Sequence, residues 1–281
     1  MPTNREIYFS QIKKNNKYLI KNVVESLLME ANNFSTSFEL FNKLDDECKN
    51  IDWLYKAIDN VQNGIPYQYV LGYCYFNNRK YFVDNNVLIP RQETEGLVKR
   101  AIQIIKNNFD KGFVCADLGT GSGIIAIEIK NAFKSANVLA IDISEKALQI
   151  ANKNAELNKT EVSFLKGDMV DLLVKNKIKL DLLISNPPYI KSKDTIDEQT
   201  WTYEPHDALL ASPSTYFYEK IIKNAANIMN DNYMMFFEIG EDMVEQLKVI
   251  INRYLPKCYY IFEKDIYDKD RYLYLTNYGK F

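Results

Sequence analysis

The feature that most limits how this chain can fold is the apolar run Leu180-Asp181-Leu182-Leu183-Ile184, followed at once by Ser185-Asn186-Pro187-Pro188-Tyr189-Ile190. A short apolar run of this kind reads as a strand buried in a parallel sheet. Neither proline can donate to a ladder, so the strand must stop where they begin. Asn186 and Tyr189 are thereby delivered to the carboxyl edge of the sheet, and in open α/β sheets that edge holds the ligand. Asn186 can offer its side-chain carbonyl and Pro187 its backbone carbonyl, two acceptors suited to the two hydrogens of a planar amino group. Pro188 fixes the geometry of the second acceptor, and Tyr189 can lay its ring against a flat target. Held this way, the nitrogen keeps its lone pair free to attack. Two prolines alone would read as a stiff turn beside a buried tyrosine; a cofactor-type loop upstream is what raises the tetrad above that.

That loop follows a second apolar run. Phe113-Val114-Cys115-Ala116-Asp117-Leu118 reads as a central strand, and Gly119-Thr120-Gly121-Ser122-Gly123 opens a helix-like run from Ile124. The glycines allow a tight turn and close approach of backbone to a ligand. Ile124 stands where a dinucleotide fingerprint needs its last glycine, which weakens a nicotinamide or flavin reading. Val138 to Asp142 is a further strand. It ends in an acid about 20 residues beyond the glycines, where a carboxylate can bind ribose hydroxyls. An adenosine-containing ligand fits, with no phosphate to cradle. Val162 to Leu165 then leads to Gly167-Asp168-Met169. Asp168 can take the adenine amino group and Met169 can pack the ring through its thioether. Asp168 reads nearly as well as a helix cap, and a capping role is open to Asp142 too.

The rest of the chain frames these motifs. Its 281 residues suggest two domains. Ile20, Val23, Val24, Leu27 and Leu28 form one helical stripe, and Ile51, Leu54, Tyr55 and Ile58 another. Thr36 and Glu39 have the spacing of a capping box. The boundaries that follow are a helical bundle over 1–72, a β-hairpin linker over 73–90 with its turn at Asn77-Asn78-Arg79-Lys80, and an alternating strand–helix domain over 91–281. Tyr233 to Gly240 is a fifth strand of that domain. Cys258 to Phe262 and Arg271 to Thr276 have no helix between them, so they read as an antiparallel hairpin at the sheet edge. Lys191 to Pro213 has no clear period, and long irregular segments in a compact domain tend to be functional. It carries the one histidine, His206, which reads as a local structural contact.

Composition excludes several classes. A formal charge of −2 argues against a nucleic-acid enzyme that relies on a broad basic face. The lysines at 13, 14, 17 and 21 read as a solvated helix face. The four cysteines have no C-x-x-C spacing, so no metal site is expected and the thiols read as reduced. No signal peptide or membrane-length apolar run occurs, and a cytoplasmic protein is expected.

Taken together, these residues resemble a known family. The order of glycine loop, ribose acid and Asn-Pro-Pro-Tyr is that of S-adenosylmethionine-dependent amino-group methyltransferases. Gly64-Ile65-Pro66, Leu71-Gly72, Leu88-Ile89-Pro90-Arg91 with Thr94-Glu95, Asp117 to Gly123, Glu204-Pro205 and Lys264-Asp265 resemble one branch of it, the peptide chain release factor glutamine methyltransferases, or HemK/PrmC family. The resemblance implies a Rossmann-like class I methyltransferase fold with a mostly parallel seven-stranded sheet, beside a helical domain that grips the protein substrate. It implies S-adenosyl-L-methionine as cofactor and methylation of the glutamine in the Gly-Gly-Gln loop of class I release factors. Asn186, Pro187, Pro188 and Tyr189 would be catalytic; Gly119, Thr120, Gly121, Ser122, Gly123, Asp142, Asp168, Met169 and Asn186 would hold the cofactor. A monomer is expected. On the residues alone, a DNA adenine or ribosomal RNA amino-group methyltransferase stays open, since the same tetrad serves a flipped base. So do a non-catalytic module and a nucleotide-binding protein of Rossmann type.

Overall fold

Helix α1 (Asn4–Lys13) begins at a reciprocal cap: Thr3 accepts the Glu6 N–H, and the Glu6 carboxylate accepts that of Thr3. The computed structural model describes residues 1–109, 112–278 and 281. Helices α2 (Lys21–Asn32), α3 (Ser37–Asn42), α4 (Ile51–Gln62) and α5 (Tyr67–Leu71) follow. Thr36 caps α3 through the Glu39 N–H, as its spacing predicts. Val23, Val24, Leu27 and Leu28 of α2 pack with Leu54, Ala57, Ile58 and Val61 of α4 into one core. Two expected stripe residues lie outside it and are exposed. Ile20 is the residue before α2 starts, and Tyr55 is one position round α4 from Leu54.

The chain divides into two compact units, residues 1–73 with 198–203, and residues 74–197 with 204–281. Strands β1 (Tyr73–Phe76) and β2 (Arg79–Phe82) form a hairpin. Its turn is shorter than the four residues expected. Asn77 and Asn78 take φ of 47° and 62°, the left-handed pair that a two-residue turn requires and that asparagine tolerates. Arg79 and Lys80 are thus released into the strand.

The larger unit continues with α6 (Gln92–Asn108), β3 (Val114–Leu118), α7 (Ile124–Ala132), β4 (Asn137–Asp142), α8 (Glu145–Leu157), β5 (Ser163–Lys166), α9 (Met169–Lys175) and β6 (Leu180–Ser185). The irregular segment after β6 contains a short helix, α10 (Glu198–Tyr203), which belongs to the smaller unit: Gln199 donates to Gly64 O and the Tyr203 hydroxyl to Asn63 O. Helices α11 (Tyr216–Lys223) and α12 (Ala225–Ile228), strand β7 (Met229–Glu238), helix α13 (Val244–Tyr254) and strands β8 (Tyr259–Lys264) and β9 (Asp270–Thr276) complete it.

Seven strands form one sheet in the order β5-β4-β3-β6-β7-β9-β8. Neighbours from β5 to β7 are parallel, and β9 runs antiparallel to β7 and β8. The closing hairpin is present, with its second strand inserted inside its first. The chain lays down β3, β4 and β5 in one direction, then returns beyond β3 for β6 and β7. That reversal opens a crevice at the carboxyl ends of β3 and β6, where doubly wound sheets bind ligands. Leu183, Met235 and Phe237 of the sheet pack with Ile221 and Ile222 of α11 and Leu247 and Ile251 of α13. Each such side chain contributes roughly 1.5–3 kcal/mol by leaving water.

No helix among the described residues is long and apolar enough to cross a membrane. Nor do these residues contain a group of three or more His, Cys, Asp or Glu side chains that could hold a metal. The four cysteines are free thiols.

Candidate active site

Strand register decides which residues meet. Leu118 pairs with Ile141 on one side and Ser185 on the other, and Ser185 pairs onward with Phe237. The Ser185 hydroxyl donates to Leu118 O at 2.6 Å. Gly119, Asp142 and Asn186 therefore leave the sheet side by side. Pro187 and Pro188 are buried, while Asn186 and Tyr189 are half-buried. A bridge between Ile190 and Leu210 pins the far end of the tetrad. Asn186 Nδ2 donates to Thr94 Oγ1 at 3.2 Å. Among the described residues, no donor reaches Asn186 Oδ1 or the Pro187 carbonyl. Two acceptors thus stand at the end of β6 with their lone pairs unused. Tyr189 lies against Gly240, its hydroxyl 3.4 Å from Glu238 Oε1 and 3.5 Å from Arg271 Nη1.

The glycine loop turns on left-handed residues. Gly119, Gly121 and Gly123 take φ of 72°, 53° and 82°, a region that costs other residues. The N–H groups of Gly119 and Thr120 both reach Ile141 O, tying the loop to β4. A Cβ on Gly123 would come within 2.9 Å of Ala151 Cβ, whereas one on Gly121 would enter open space. Helix α8 thus closes one side of the loop and a ligand can approach the other. Buried Asn154 of α8 donates to Ser122 O at 2.8 Å and exchanges hydrogen bonds with the backbone of Phe82. Hairpin and loop are held by the same amide.

Two carboxylates flank this loop. Asp117 is buried; its Oδ2 accepts from the Thr120 hydroxyl and the Ala126 N–H, and Oδ1 has no partner. Burial pushes this carboxyl up to about 7, against those hydrogen bonds and with help from the Asp142 charge. Asp142 accepts the N–H groups of Gly121 and Ser144, both at 2.8 Å, and burial raises it as well. A carboxylate has about four lone-pair sites, so Asp142 keeps capacity for hydroxyl groups. Acids placed here repel a phosphate and suit a neutral or cationic ligand, which agrees with Ile124 in disfavouring a dinucleotide.

Met169 opens α9 with its methyl over the loop: a Cβ on Gly119 would lie 2.8 Å from Met169 Cε. Asp168 occupies the N-cap position of α9 but makes no capping bond. It pairs instead with Lys220 of α11 at 2.8 Å. Thr120 and Ser122 are buried in the loop, and the exposed side chain of Ile143 follows Asp142. Gly119 to Gly123, Asp142, Asp168, Met169 and Asn186 to Tyr189 all stand at or just after the carboxyl ends of parallel neighbouring strands and so lie at this one edge. Thr94, Asn154, Lys220, Glu238 and Arg271 bond to these residues and are not among the sequence candidates. Only the quoted Thr94-Glu95 pair offered a signal for any of them. An open concavity of about 680 Å³ lies at the opposite edge, where β4 and β5 begin, lined by Lys130, Asn137, Glu156, Lys159 and Thr160 among others.

Glu204 explains part of the irregular segment. Its buried carboxylate accepts the Ile89 N–H at 3.0 Å and Arg91 Nη2 at 2.5 Å, fixing the approach to α6. Gln92, the first residue of α6, is exposed and accepts a hydrogen bond from the Tyr267 hydroxyl at 3.4 Å.

Residues 98–203 match the Methyltransferase small domain family. The chain is 38% identical over 218 residues to the release factor glutamine methyltransferase of Staphylococcus aureus, covering 76% of this chain and 77% of that one. Against the enzyme of the same name from Mycoplasma mycoides it is 38% identical over 231 residues, 79% and 80% of the two chains. Against that of Bacillus anthracis the identity is 31% over 264 residues, 92% and 87%. Two solved structures share the fold at a TM-score of 0.52: SMU.776 complexed with SAH, 13% identical over 73% of this chain and 55% of that one, and the hMettl16 catalytic domain complexed with an RNA hairpin, 15% identical over 71% and 76%. The loop, the tetrad and the sheet order therefore have one common explanation: the chain belongs to the release factor glutamine methyltransferase family.

Proposed function

We propose that this protein uses S-adenosyl-L-methionine to methylate the side-chain amide nitrogen of the glutamine in the Gly-Gly-Gln motif of class I peptide chain release factors. Family membership supports the reaction and the substrate class. The observation that carries the chemistry is the pair of unused acceptors, Asn186 Oδ1 and the Pro187 carbonyl, at the end of β6.

The edge residues suit this cofactor. The space over Gly121 would admit it, Asp142 would hold its ribose hydroxyls, and Asp168, paired with Lys220, would hold the adenine amino group while Met169, whose methyl lies by Gly119, would pack on the ring. Bound there, the cofactor supplies an electrophilic methyl on a positively charged sulfur. An amide nitrogen is a poor nucleophile because its lone pair is shared with the carbonyl. Asn186 Oδ1 and Pro187 O each accept one of its hydrogens, which fixes the nitrogen and favours the pyramidal geometry of attack. Pro187 and Pro188 are buried and keep this frame stiff. Tyr189 lies beside the amide plane. As the carbon–nitrogen bond forms, the carbon–sulfur bond would break and leave its electron pair on a neutral thioether; the nitrogen, now cationic and acidic, gives one proton to water without a strong base. The unit of residues 1–73 and 198–203 grips the body of the release factor, and the enzyme works as a cytoplasmic monomer.

Mass spectrometry tests this directly. Purified class I release factor, duplex DNA and ribosomal RNA are each incubated with the protein and S-adenosyl-L-methionine. One methyl group mapping to the Gly-Gly-Gln glutamine is expected; methyl on nucleic acid with none on release factor would overturn the substrate assignment.

A further inference from the structure

A primary amide can turn either its oxygen or its nitrogen toward a ligand, and only one orientation accepts a hydrogen bond. Two residues distant in sequence from Asn186 decide the matter here. Thr94 Oγ1 lies 2.7 Å from Glu238 Oε2 and 3.2 Å from Asn186 Nδ2. A hydroxyl has one hydrogen to give, and Glu238 Oε2 accepts it both when the carboxyl is ionised and when its proton sits on Oε1, the oxygen that faces the Tyr189 hydroxyl. Thr94 therefore donates to Glu238 and is left to accept from Asn186. The amide must show its NH2 to Thr94 and its oxygen to the other side.

The anchor is itself held. Thr94 and Glu238 are 6% and 2% exposed, so water is a poor substitute for either. Tyr218 donates to the Glu238 backbone carbonyl at 2.7 Å. Glu238 Oε1 faces the Tyr189 hydroxyl. Arg271, paired with Asp265 at 3.2 Å, reaches both that hydroxyl and Ile239 O. Tyr189 and Asn186 are thus both set by one carboxylate.

We propose that Thr94 and Glu238 are positioning residues, a buried hydroxyl–carboxylate relay that locks the Asn186 amide with its oxygen toward the substrate nitrogen. This rests on Asn186 acting as an acceptor, as proposed above. Without the relay an inverted amide sets its NH2 against the substrate's NH2, donor against donor, and attack is blocked.

The test is a graded series assayed on purified release factor, with cofactor affinity measured separately by calorimetry. Thr94→Val keeps the shape and removes the oxygen; Thr94→Ser restores it. Glu238→Gln can present either end of its own amide to Thr94, so only part of the population is locked. Thr94→Val is expected to lower kcat by about 10- to 100-fold, with cofactor affinity changed less than about twofold. Thr94→Ser recovers most of that loss, and Glu238→Gln falls between. Thr94→Ala reads the same way if the valine variant does not fold. Thr94→Val turning over like the parent while Asn186→Ala is inactive would overturn the relay and leave the acceptor role standing. Asn186→Ala turning over like the parent would overturn the acceptor role itself. Turnover and cofactor affinity falling together, or serine failing to rescue, would make Thr94 merely structural.

Discussion

Asp117 and Glu238 are carboxyl groups that burial carries close to neutrality, and both stand at the site. Burial pushes Glu238 up to about 7; Thr94, Arg271 and Tyr189 oppose the shift and the Glu93 charge adds to it. Asp117 is likewise pushed up to about 7 by burial. The folded protein holds these protons more tightly than the unfolded chain does. Their stabilising contribution is therefore complete below about pH 4 and is lost as pH rises through about 7, each group being worth on the order of 3 kcal/mol. Thermal unfolding followed between about pH 5 and 8 should show the parent losing stability more steeply than Glu238→Gln or Asp117→Asn. Equal slopes would mean that other groups set the pH dependence. Asp142 offers a second check. Replacing it by alanine removes hydrogen bonds from a charged acceptor, so cofactor affinity should fall by roughly 10- to 100-fold in calorimetry. An unchanged affinity would assign Asp142 to capping the loop alone. Asp142 was visible in the sequence because its distance from the glycines is a local spacing. Glu238 was not, because its partner Thr94 lies 144 residues away and nothing in Phe237-Glu238-Ile239 marks a buried acid as purposeful.

At the level of elements, glycines show where backbone segments must touch. Gly123 combines a left-handed φ with a Cβ position 2.9 Å from Ala151 on α8. Gly123→Ala should therefore destabilise the protein by about 2–3 kcal/mol and weaken cofactor binding together. A variant with normal stability and affinity would mean that the loop can leave α8 freely. Gly96 on α6 is a different case. A Cβ there would collide with the hydroxyl of Tyr272, which donates to Glu93 O at 2.9 Å. Gly96→Ala should displace Tyr272 and lower stability by about 1–3 kcal/mol, measured by denaturant unfolding. The strands and helices were legible wherever period and breaker agree, as in β3 with its glycine loop and β6 with its prolines. The misplaced features have physical causes. The hairpin turn has two residues rather than the expected four because two asparagines with left-handed φ suffice for it. Strand β7 starts four residues earlier than its apolar run, with a register shift against β6 between Leu180 and Leu182. Helix α10 has six residues, none of them fully buried, so its segment carries too little periodicity to announce a helix.

For the molecule as a whole, sheet order turns separate motifs into a site. The sequence places the glycine loop, the ribose acid and the tetrad far apart, yet each ends a strand of the same sheet, and parallel register brings all three to one edge. Charge bears on the partner. A chain with formal charge −2 lacks the broad basic field that draws proteins to nucleic acid. An excess of duplex DNA should accordingly leave methylation of a release factor within about twofold of its uninhibited rate. Strong competition would point to a basic groove. The most direct measurement is mass-spectrometric quantification of methyl at the Gly-Gly-Gln glutamine of a purified release factor, using the parent protein and Asn186→Ala at matched cofactor occupancy. The two-acceptor account predicts about 100- to 1,000-fold slower methylation by the variant, with cofactor affinity retained. Methylation at a rate near that of the parent would contradict it.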